Sequence, residues 1–226
     1  MRTTWEVTMY RKRFFQTFKN IAIVMIFFWL REQGYVNNWG FVIGALATII
    51  LVAVLTQRFT VKRTMKNLDD LKAMTPLLKT DPQSYFDQLD GLIQSSNGYE
   101  HDYLILHKAN TLAKINKADQ AIKVLEAYHP KYLDTANLGV YYNNLLGLLV
   151  QTKETKKARA IYNEYKDILE ANYSSSFAYS IYTNIANLKY QEGHKAQAQE
   201  FLDKAMAATD DEKIRENIKK LKAQMD

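Results

Sequence analysis

An uncharged stretch of seventeen residues, WGFVIGALATIILVAVL, runs from Trp39 to Leu55. The chain as a whole is not apolar, because its mean hydropathy is -0.33. A helix needs about 20 mostly apolar residues, within a range of roughly 17–25, to cross a bilayer. A buried core helix can also be apolar on every side, but it is rarely this long. The stretch therefore predicts a transmembrane helix over about 39–55.

A second apolar stretch lies just upstream of the first. Its uninterrupted part, Ile21–Leu30, has ten residues, which alone is too short to cross a bilayer. Extension back to Phe14 reaches the length of a span, and Lys19 can then extend toward the headgroups. An interfacial amphipathic helix is the main alternative, whereas no small-residue cleavage site follows that would indicate a signal peptide. We expect a span over about 14–30.

Basic residues flank this pair of apolar stretches. Residues 1–66 hold ten of the 30 basic and two of the 24 acidic residues, in a chain of net charge +6. If both stretches cross the membrane, both basic flanks face the cytoplasm, which is the orientation that positive-inside bias favours. The flanks consist of Arg11, Lys12, Arg13, Arg58, Lys62, Arg63 and Lys66. We expect a two-span hairpin in a cytoplasmic membrane of bacterial type, with both termini in the cytoplasm and with membrane lipids around it.

Small residues recur every four positions in the second stretch, at Gly40, Gly44 and Thr48. Such a pattern lets two helices approach closely in a membrane. The partner helix can be the first helix of the same hairpin, or it can belong to a second copy of the chain in a homo-oligomer. The sequence favours the first interpretation and leaves the second open.

The rest of the chain has a different composition and predicts only helices. Three prolines and eight glycines stand among many helix-forming residues, and no strand-like alternation occurs. We expect three parts: an N-terminal segment with the hairpin over 1–56, a basic helical connector over 57–80, and a helical domain over 81–226. Residues 67–226 hold twenty basic and twenty-two acidic residues. Because a nucleic-acid-binding domain needs a basic face, we expect no nucleic-acid partner.

Local signals place several helix ends in this domain. Pro82 is expected at the first helical position after Asp81. Asp134 or Thr135 is expected to cap the helix that follows the segment HPKYLDT. Thr209 and Glu212 have the spacing of a capping box.

No motif for catalysis or cofactor binding is present in the sequence. Cysteine is absent, and the four histidines form no HExxH pattern or i, i+4 pair. No glycine-rich phosphate loop and no G-x-S-x-G occurs. We therefore expect no enzyme activity, no catalytic residue, no cofactor and no metal site.

Three segments of the helical domain are similar to one another. They are KANTLAKINKADQAIKVL, LLGLLVQTKETKKARAIY and IANLKYQEGHKAQAQEFL. Each is expected to form a helix, a tight turn and a second helix with an early alanine. These alanines, Ala121, Ala158 and Ala198, are 37 and 40 residues apart. Small side chains are needed where two helices cross closely, since overpacking costs about 1–3 kcal/mol.

The three segments resemble the tetratricopeptide repeat family, whose period is about 34 residues. The third copy carries the resemblance best, through Ala186, Asn187, Tyr190, Gly193, Ala198 and Phe201. The other two copies depart from the family pattern, at Leu146 in the second, where a small residue is usual, and at Asn116 in the first and Lys153 in the second, where the turn glycine is missing. The resemblance covers roughly 102–208. It implies an all-α solenoid of about three helical-hairpin repeats, and the final amphipathic segment would be its capping helix.

The resemblance also implies a concave surface that binds a peptide or protein. The first helix of each hairpin would supply the binding residues, and side-chain amides among them can hold an extended backbone. The candidates are Tyr103, Asn110, Lys114, Asn143, Asn144, Gln151, Asn187, Tyr190 and Gln191. Solvation of an exposed polar face is the alternative explanation for these side chains. The expected function is that of a membrane-anchored adaptor. A structural subunit whose transmembrane hairpin makes the functional contacts is the alternative.

Overall fold

The computed structural model describes residues 21–35 and 37–225, and within them it leaves out the side chains at 38, 40 and 56–68. All regular elements of these residues are helices, which confirms the all-α prediction. The chain divides into two compact units, Met1–Tyr85 and Phe86–Asp226. The basic residues at 11–13 and the N-terminal part of the span predicted for 14–30 lie outside the described residues.

The first unit contains a helical hairpin. Residues 21–32 form α1, and α2 then runs without interruption over Asn38–Met74. A short helix α3, Leu77–Thr80, follows, and α4 covers Pro82–Ser95 across the division between the units. The apolar stretch and most of the connector predicted for 57–80 are therefore parts of one helix. The start of α4 at Pro82 confirms the predicted helix start.

The two helices of this hairpin pack closely at Gly44. A Cβ atom added there would overlap the ring of Phe27 from α1. Phe28 meets Phe41 edge to face, with 6.4 Å between ring centroids. Thr48 Oγ1 donates a hydrogen bond of 2.8 Å to the Gly44 carbonyl, within its own helix. Close approach at Gly44 thus occurs within one hairpin, while Gly40 lies outside the residues whose surroundings are described.

Large apolar side chains of this unit point outward. Among the described residues, sixteen of the nineteen exposed large hydrophobic side chains lie between Ile21 and Leu55. Ile43 and Ile50 are 63% and 62% exposed. Contiguous exposed apolar surface of this kind is rare on monomeric proteins in water. Within the described part of the chain, no helix has both the length and the apolar character that a bilayer crossing requires.

The second unit is a series of helical hairpins. Pairs α5/α6, α7/α8 and α10/α11 form the hairpins, α7 and α10 contact the hairpins that precede them, and α12 packs on α11. A short α9 continues from α8 and packs on α7. The helices are α5 Gly98–Lys114, α6 Ala118–Glu126, α7 Thr135–Gln151, α8 Thr155–Glu164, α9 Lys166–Glu170, α10 Ala178–Gln191, α11 Lys195–Ala207 and α12 Glu212–Met225.

The alanines of the three similar segments lie where their helices meet. Ala121, Ala158 and Ala198 are completely buried. This confirms them as packing positions, since a larger side chain there would force the helices apart. Leu146 is completely buried as well, so the second hairpin accommodates a large side chain where the resemblance implies a small one.

The turns inside the three hairpins share one backbone conformation. Asn116, Lys153 and Gly193 have φ values of 60°, 60° and 83°. In each turn, the next residue donates its N–H to the carbonyl five residues earlier, at 2.8–2.9 Å. This is the Schellman motif, in which glycine is favoured because it has no Cβ to clash at positive φ. The geometry recurs although only the third turn has the glycine.

Lys153→Gly is expected to stabilise the second unit by about 1 kcal/mol. Lys153 has a positive φ, at which a Cβ atom causes strain, and glycine has no Cβ atom. Urea unfolding followed by circular dichroism measures the change. The control is Ala160→Gly, at an exposed residue in the middle of α8, where loss of helix propensity should destabilise by about 1 kcal/mol. A shift of the same sign in both variants would contradict the explanation.

The helix cap of α7 agrees with the prediction, and the cap of α12 differs from it. Asp134 caps α7 by accepting the N–H of Asn137 at 2.8 Å, as predicted. The capping box at Thr209 and Glu212 is wrong, because α12 begins at Glu212 itself. Asp211 directly precedes it and accepts two N–H groups of the first turn, at 2.9 and 3.1 Å.

Candidate functional site

An open groove of about 530 Å³ crosses α5, α7 and α10 in the second unit. Five of the nine predicted binding residues line it together: Asn110, Lys114, Asn143, Asn144 and Gln151. Val140, Gly147 and Asn184 also line it, and the sequence analysis did not include them among the binding candidates. Because the helices alternate along the chain, the first helix of each hairpin reaches the same side of the stack.

Side-chain amides connect the first helices of the three hairpins. Asn144 Nδ2 donates to Asn110 Oδ1 at 2.6 Å, between α7 and α5. Asn184 Nδ2 donates to Asn143 Oδ1 at 2.9 Å, between α10 and α7. Asn143 Nδ2 in turn donates to Ser180 Oγ at 3.0 Å. Asn143 is only 3% exposed, so its amide joins two hairpins rather than facing solvent.

The Asn110–Asn144 pair keeps hydrogen-bonding capacity on the groove side. Both side chains are half-buried, and one bond of 2.6 Å joins them. Among the described residues, neither Asn110 Nδ2 nor Asn144 Oδ1 has a partner. One donor and one acceptor are what a peptide unit requires, since it offers one C=O and one N–H.

Lys114 gives one end of the groove a positive charge. It is exposed at the end of α5, and in the described part of the chain it has neither an ion pair nor a hydrogen bond. No acidic residue is among those that line this groove. Burial lowers the pKa of His107 on the same helix, and the nearby Lys114 ammonium lowers that pKa further. The lysine is therefore available to an anionic group of a ligand.

The other four predicted binding residues lie outside the groove: Tyr103, Asn187, Tyr190 and Gln191. Tyr103 stacks on Tyr99, with 6.3 Å between ring centroids. Gln191 Nε2 donates to the Val150 carbonyl at 2.7 Å and thereby joins the second and third hairpins. Asn187 donates to a carbonyl of its own helix at 3.1 Å. Their contacts stabilise the stack or the helix, and their roles in binding remain predictions.

A smaller pocket of about 260 Å³ lies between α10 and α12. Its α12 side consists mainly of Ile214, Ile218 and Leu221, and Asn184 lines both this pocket and the groove. These aliphatic residues form an apolar stripe on the final amphipathic segment, which the resemblance implies is a capping helix. Ile218 is buried, whereas Ile214 and Leu221 are half-buried. The stripe therefore covers the core and also leaves an apolar concavity.

Asp102 forms a buried polar centre that sequence reasoning did not find. It lies in α5 with no exposed surface. Its carboxylate accepts a hydrogen bond from Tyr128 at 2.5 Å and from the backbone N–H groups of Lys131 and Tyr132, each at 2.6 Å. Burial raises the pKa of the Tyr128 hydroxyl, and the bond to Asp102 raises it further. An acid about one turn into a helix has no local signal that distinguishes it from a solvated one.

A stack of helical hairpins with an amide-lined groove is the class that this fold and this site define. Comparisons with protein-family models, with curated proteins and with solved structures found no match to the chain. Among the described residues, no group of histidine, aspartate or glutamate side chains could hold a metal ion. The chemistry that the groove offers is hydrogen bonding by amides and pairing with a negative charge.

Two neighbouring asparagines should respond differently to alanine substitution. Asn143→Ala is expected to destabilise the second unit by about 2 kcal/mol, because it removes a buried amide that bonds both Ser180 and Asn184 of α10. The matched variant Asn144→Ala should cost less than about 1 kcal/mol, since among the described residues its side chain bonds only the half-buried Asn110, and water can replace that bond. Urea unfolding measures both. Equal losses would contradict the distinction between a structural and an available amide.

Proposed function

We propose that the chain is a membrane-anchored adaptor. In this proposal, its two N-terminal apolar segments cross a cytoplasmic membrane with both termini inside. The helical stack then binds a peptide or protein in the groove. The observation that carries the proposal is the division of exposed apolar side chains, of which sixteen lie in residues 21–55 and three in the described residues beyond them.

Exposed apolar surface supports the anchor. Each Å² of it in water is unfavourable by about 25 cal/mol, so the outward-facing side chains of the hairpin need an apolar environment. A helix rises about 1.5 Å per residue, so the seventeen residues from Trp39 to Leu55 extend about 26 Å. This length is close to the hydrocarbon thickness of about 30 Å.

Repeated geometry supports the second part of the proposal. The three hairpins share a turn conformation and buried alanines, as expected from the resemblance to tetratricopeptide repeats. Stacked hairpins of this kind present continuous binding surfaces. Asn110, Asn144 and Lys114 supply polar recognition on that surface through groups that have no partner among the described residues. Confinement to a membrane raises the effective concentration of the groove for partners at the same membrane.

Fractionation and topology mapping test the anchor. The full-length chain is expected to float with lipid on a density gradient and to stay with it in alkaline carbonate. Reporters fused at Asn37 and after Asp226 should report outside and inside, respectively. Recovery of the unaggregated chain at the bottom of the gradient would reject the anchor, and both reporters on one side would reject the two-span topology.

Site-specific photo-crosslinking in cells tests the groove. A photoreactive residue at Asn144 is expected to give a discrete adduct, and the same residue at Lys156, on the second helix of the second hairpin, should give none. Adducts only from exposed hairpin positions such as Ile43 would instead support a structural subunit whose transmembrane hairpin makes the functional contacts.

A further inference from the structure

We propose that the groove and the pocket beside α12 form one continuous site for an extended peptide. The peptide would place a carboxylate at Lys114 and a large apolar side chain against Ile214 and Leu221. This inference rests on the proposed binding function and specifies the chemistry of the ligand. Asn184 joins the two parts, because it lines both the groove and the pocket.

Backbone recognition follows from the amide pair in the middle of the site. Asn110 Nδ2 can donate to a peptide carbonyl, and Asn144 Oδ1 can accept a peptide N–H. The bond of 2.6 Å between the two side chains fixes their orientation before any ligand arrives. Recognition of the backbone by this pair does not depend on the sequence of the ligand, so specificity must come from the two ends of the site.

Carboxylate recognition follows from the charge at one end. Lys108, on the same helix, has its charge neutralised by Asp90 at 2.6 Å. Lys157 likewise pairs with two glutamates, at 2.8 and 3.2 Å. Lys114 has no such partner among the described residues, and the groove lining contains no acid to repel an anion. Either an acidic side chain or a terminal carboxylate provides the complementary charge.

Apolar recognition follows from the wall of the pocket at the other end. Two of the hydroxyls on the α10 side already have partners, since Thr183 donates to the Tyr179 carbonyl at 2.7 Å and Ser180 accepts from Asn143 at 3.0 Å. What remains is a concavity with the aliphatic side chains of α12 on its opposite side. Its volume of about 260 Å³ has room for one large side chain.

The distance between the two ends sets the spacing of the ligand's residues. The site crosses three helix-to-helix steps, from α5 to α7, from α7 to α10, and from α10 across the pocket to α12. Packed helices lie about 8–10 Å apart. An extended chain advances about 3.3 Å per residue. The carboxylate and the apolar side chain should therefore be separated by about eight positions along the peptide.

Peptide binding to the full-length chain in detergent micelles tests the inference. The probes are fluorescent, amidated peptides of serine, alanine and glutamine that carry one glutamate and one leucine, in both orders, at separations from about three to eleven residues. Tightest binding is expected near eight. Replacement of leucine by serine should weaken binding by about tenfold, and replacement of glutamate by lysine by about fivefold. A peptide with its terminal carboxylate in place of glutamate distinguishes the two sources of charge.

Matched variants locate the two ends on the protein. Lys114→Glu should weaken binding of the glutamate peptide by about fivefold, whereas Lys123→Glu, the same change on α6, should leave its binding unchanged. Asn217→Trp fills the pocket and should remove the advantage of leucine, whereas Lys219→Trp on the same helix should not. Circular dichroism checks that each variant folds. The inference would be overturned if affinity did not depend on the separation of glutamate and leucine, if a variant and its control had equal effects, or if no probe bound. A groove adduct from Asn144 would still support the adaptor function in that case.

Discussion

Replacement of Ile43, Leu46 and Ile50 by lysine is expected to release the chain from the membrane. These side chains are 63%, 55% and 62% exposed on α2, so in the proposed anchor they face lipid. Lysine at the centre of a membrane helix costs about 2.5–3.5 kcal/mol, whereas leucine and isoleucine are favourable by about 0.3–0.6 kcal/mol. Three replacements therefore cost about 10 kcal/mol, which exceeds what the remainder of a short span can offset.

Flotation on a density gradient measures this release and separates lipid-bound from aggregated chain. The matched control replaces Tyr99, Tyr103 and Tyr190 by lysine, because these are the three exposed large hydrophobic residues among the described residues of the second unit. The control should remain with lipid. If the α2 variant also floats and resists carbonate, lipid does not surround α2 and the anchor is refuted.

The second large effect is expected at Asp102, where replacement by asparagine should lower the free energy of unfolding of the second unit by about 3 kcal/mol. The carboxylate accepts three hydrogen bonds in a fully buried position. Hydrogen bonds to a charged group contribute about 1.5–3 kcal/mol each. The asparagine NH₂ would face donors, so at least one buried donor would lose its partner.

Urea unfolding and hydrogen exchange measure the loss at Asp102. The segment that contains Lys131 and Tyr132 should exchange faster, because these N–H groups donate to the carboxylate. Asp119→Asn is the matched control, since Asp119 is exposed in the first turn of α6 and contributes only about 0.5 kcal/mol through the helix dipole. A loss at Asp102 no larger than at Asp119 would show that the connection between α6 and α7 does not depend on this carboxylate.

Local patterns predicted much of the helical architecture. Pro82 and Asp134 mark helix starts because proline and a capping carboxylate act on their own turn of the chain. Ala121, Ala158 and Ala198 were recognisable because the same packing requirement recurs in each hairpin. Thr209 was misassigned because Asp211, two residues later, competes for the same N–H groups and lies next to the helix start.

Five groove residues could be predicted because the first helix of each hairpin reaches one side of the stack. Which asparagine is available and which is buried could not be predicted, since Asn143 and Asn144 are adjacent and chemically identical. The difference between them comes from partners on other helices, Asn184 for one and Asn110 for the other. Gln191 and Asn187 matched the binding pattern in sequence equally well. In the structure Gln191 bonds the Val150 carbonyl and Asn187 bonds a carbonyl of its own helix, and neither residue lines the groove.

The amino-acid sequence by itself determined the helical class, the apolar character of the N-terminal segments and the hairpin period, because these depend on propensity, hydropathy and spacing along one chain. Only the tertiary structure decided the partners of Asp102, which asparagines are buried and which are available, and the pocket beside α12. Each of these depends on side chains that are far apart in sequence, and their contacts are specified only when the helices pack.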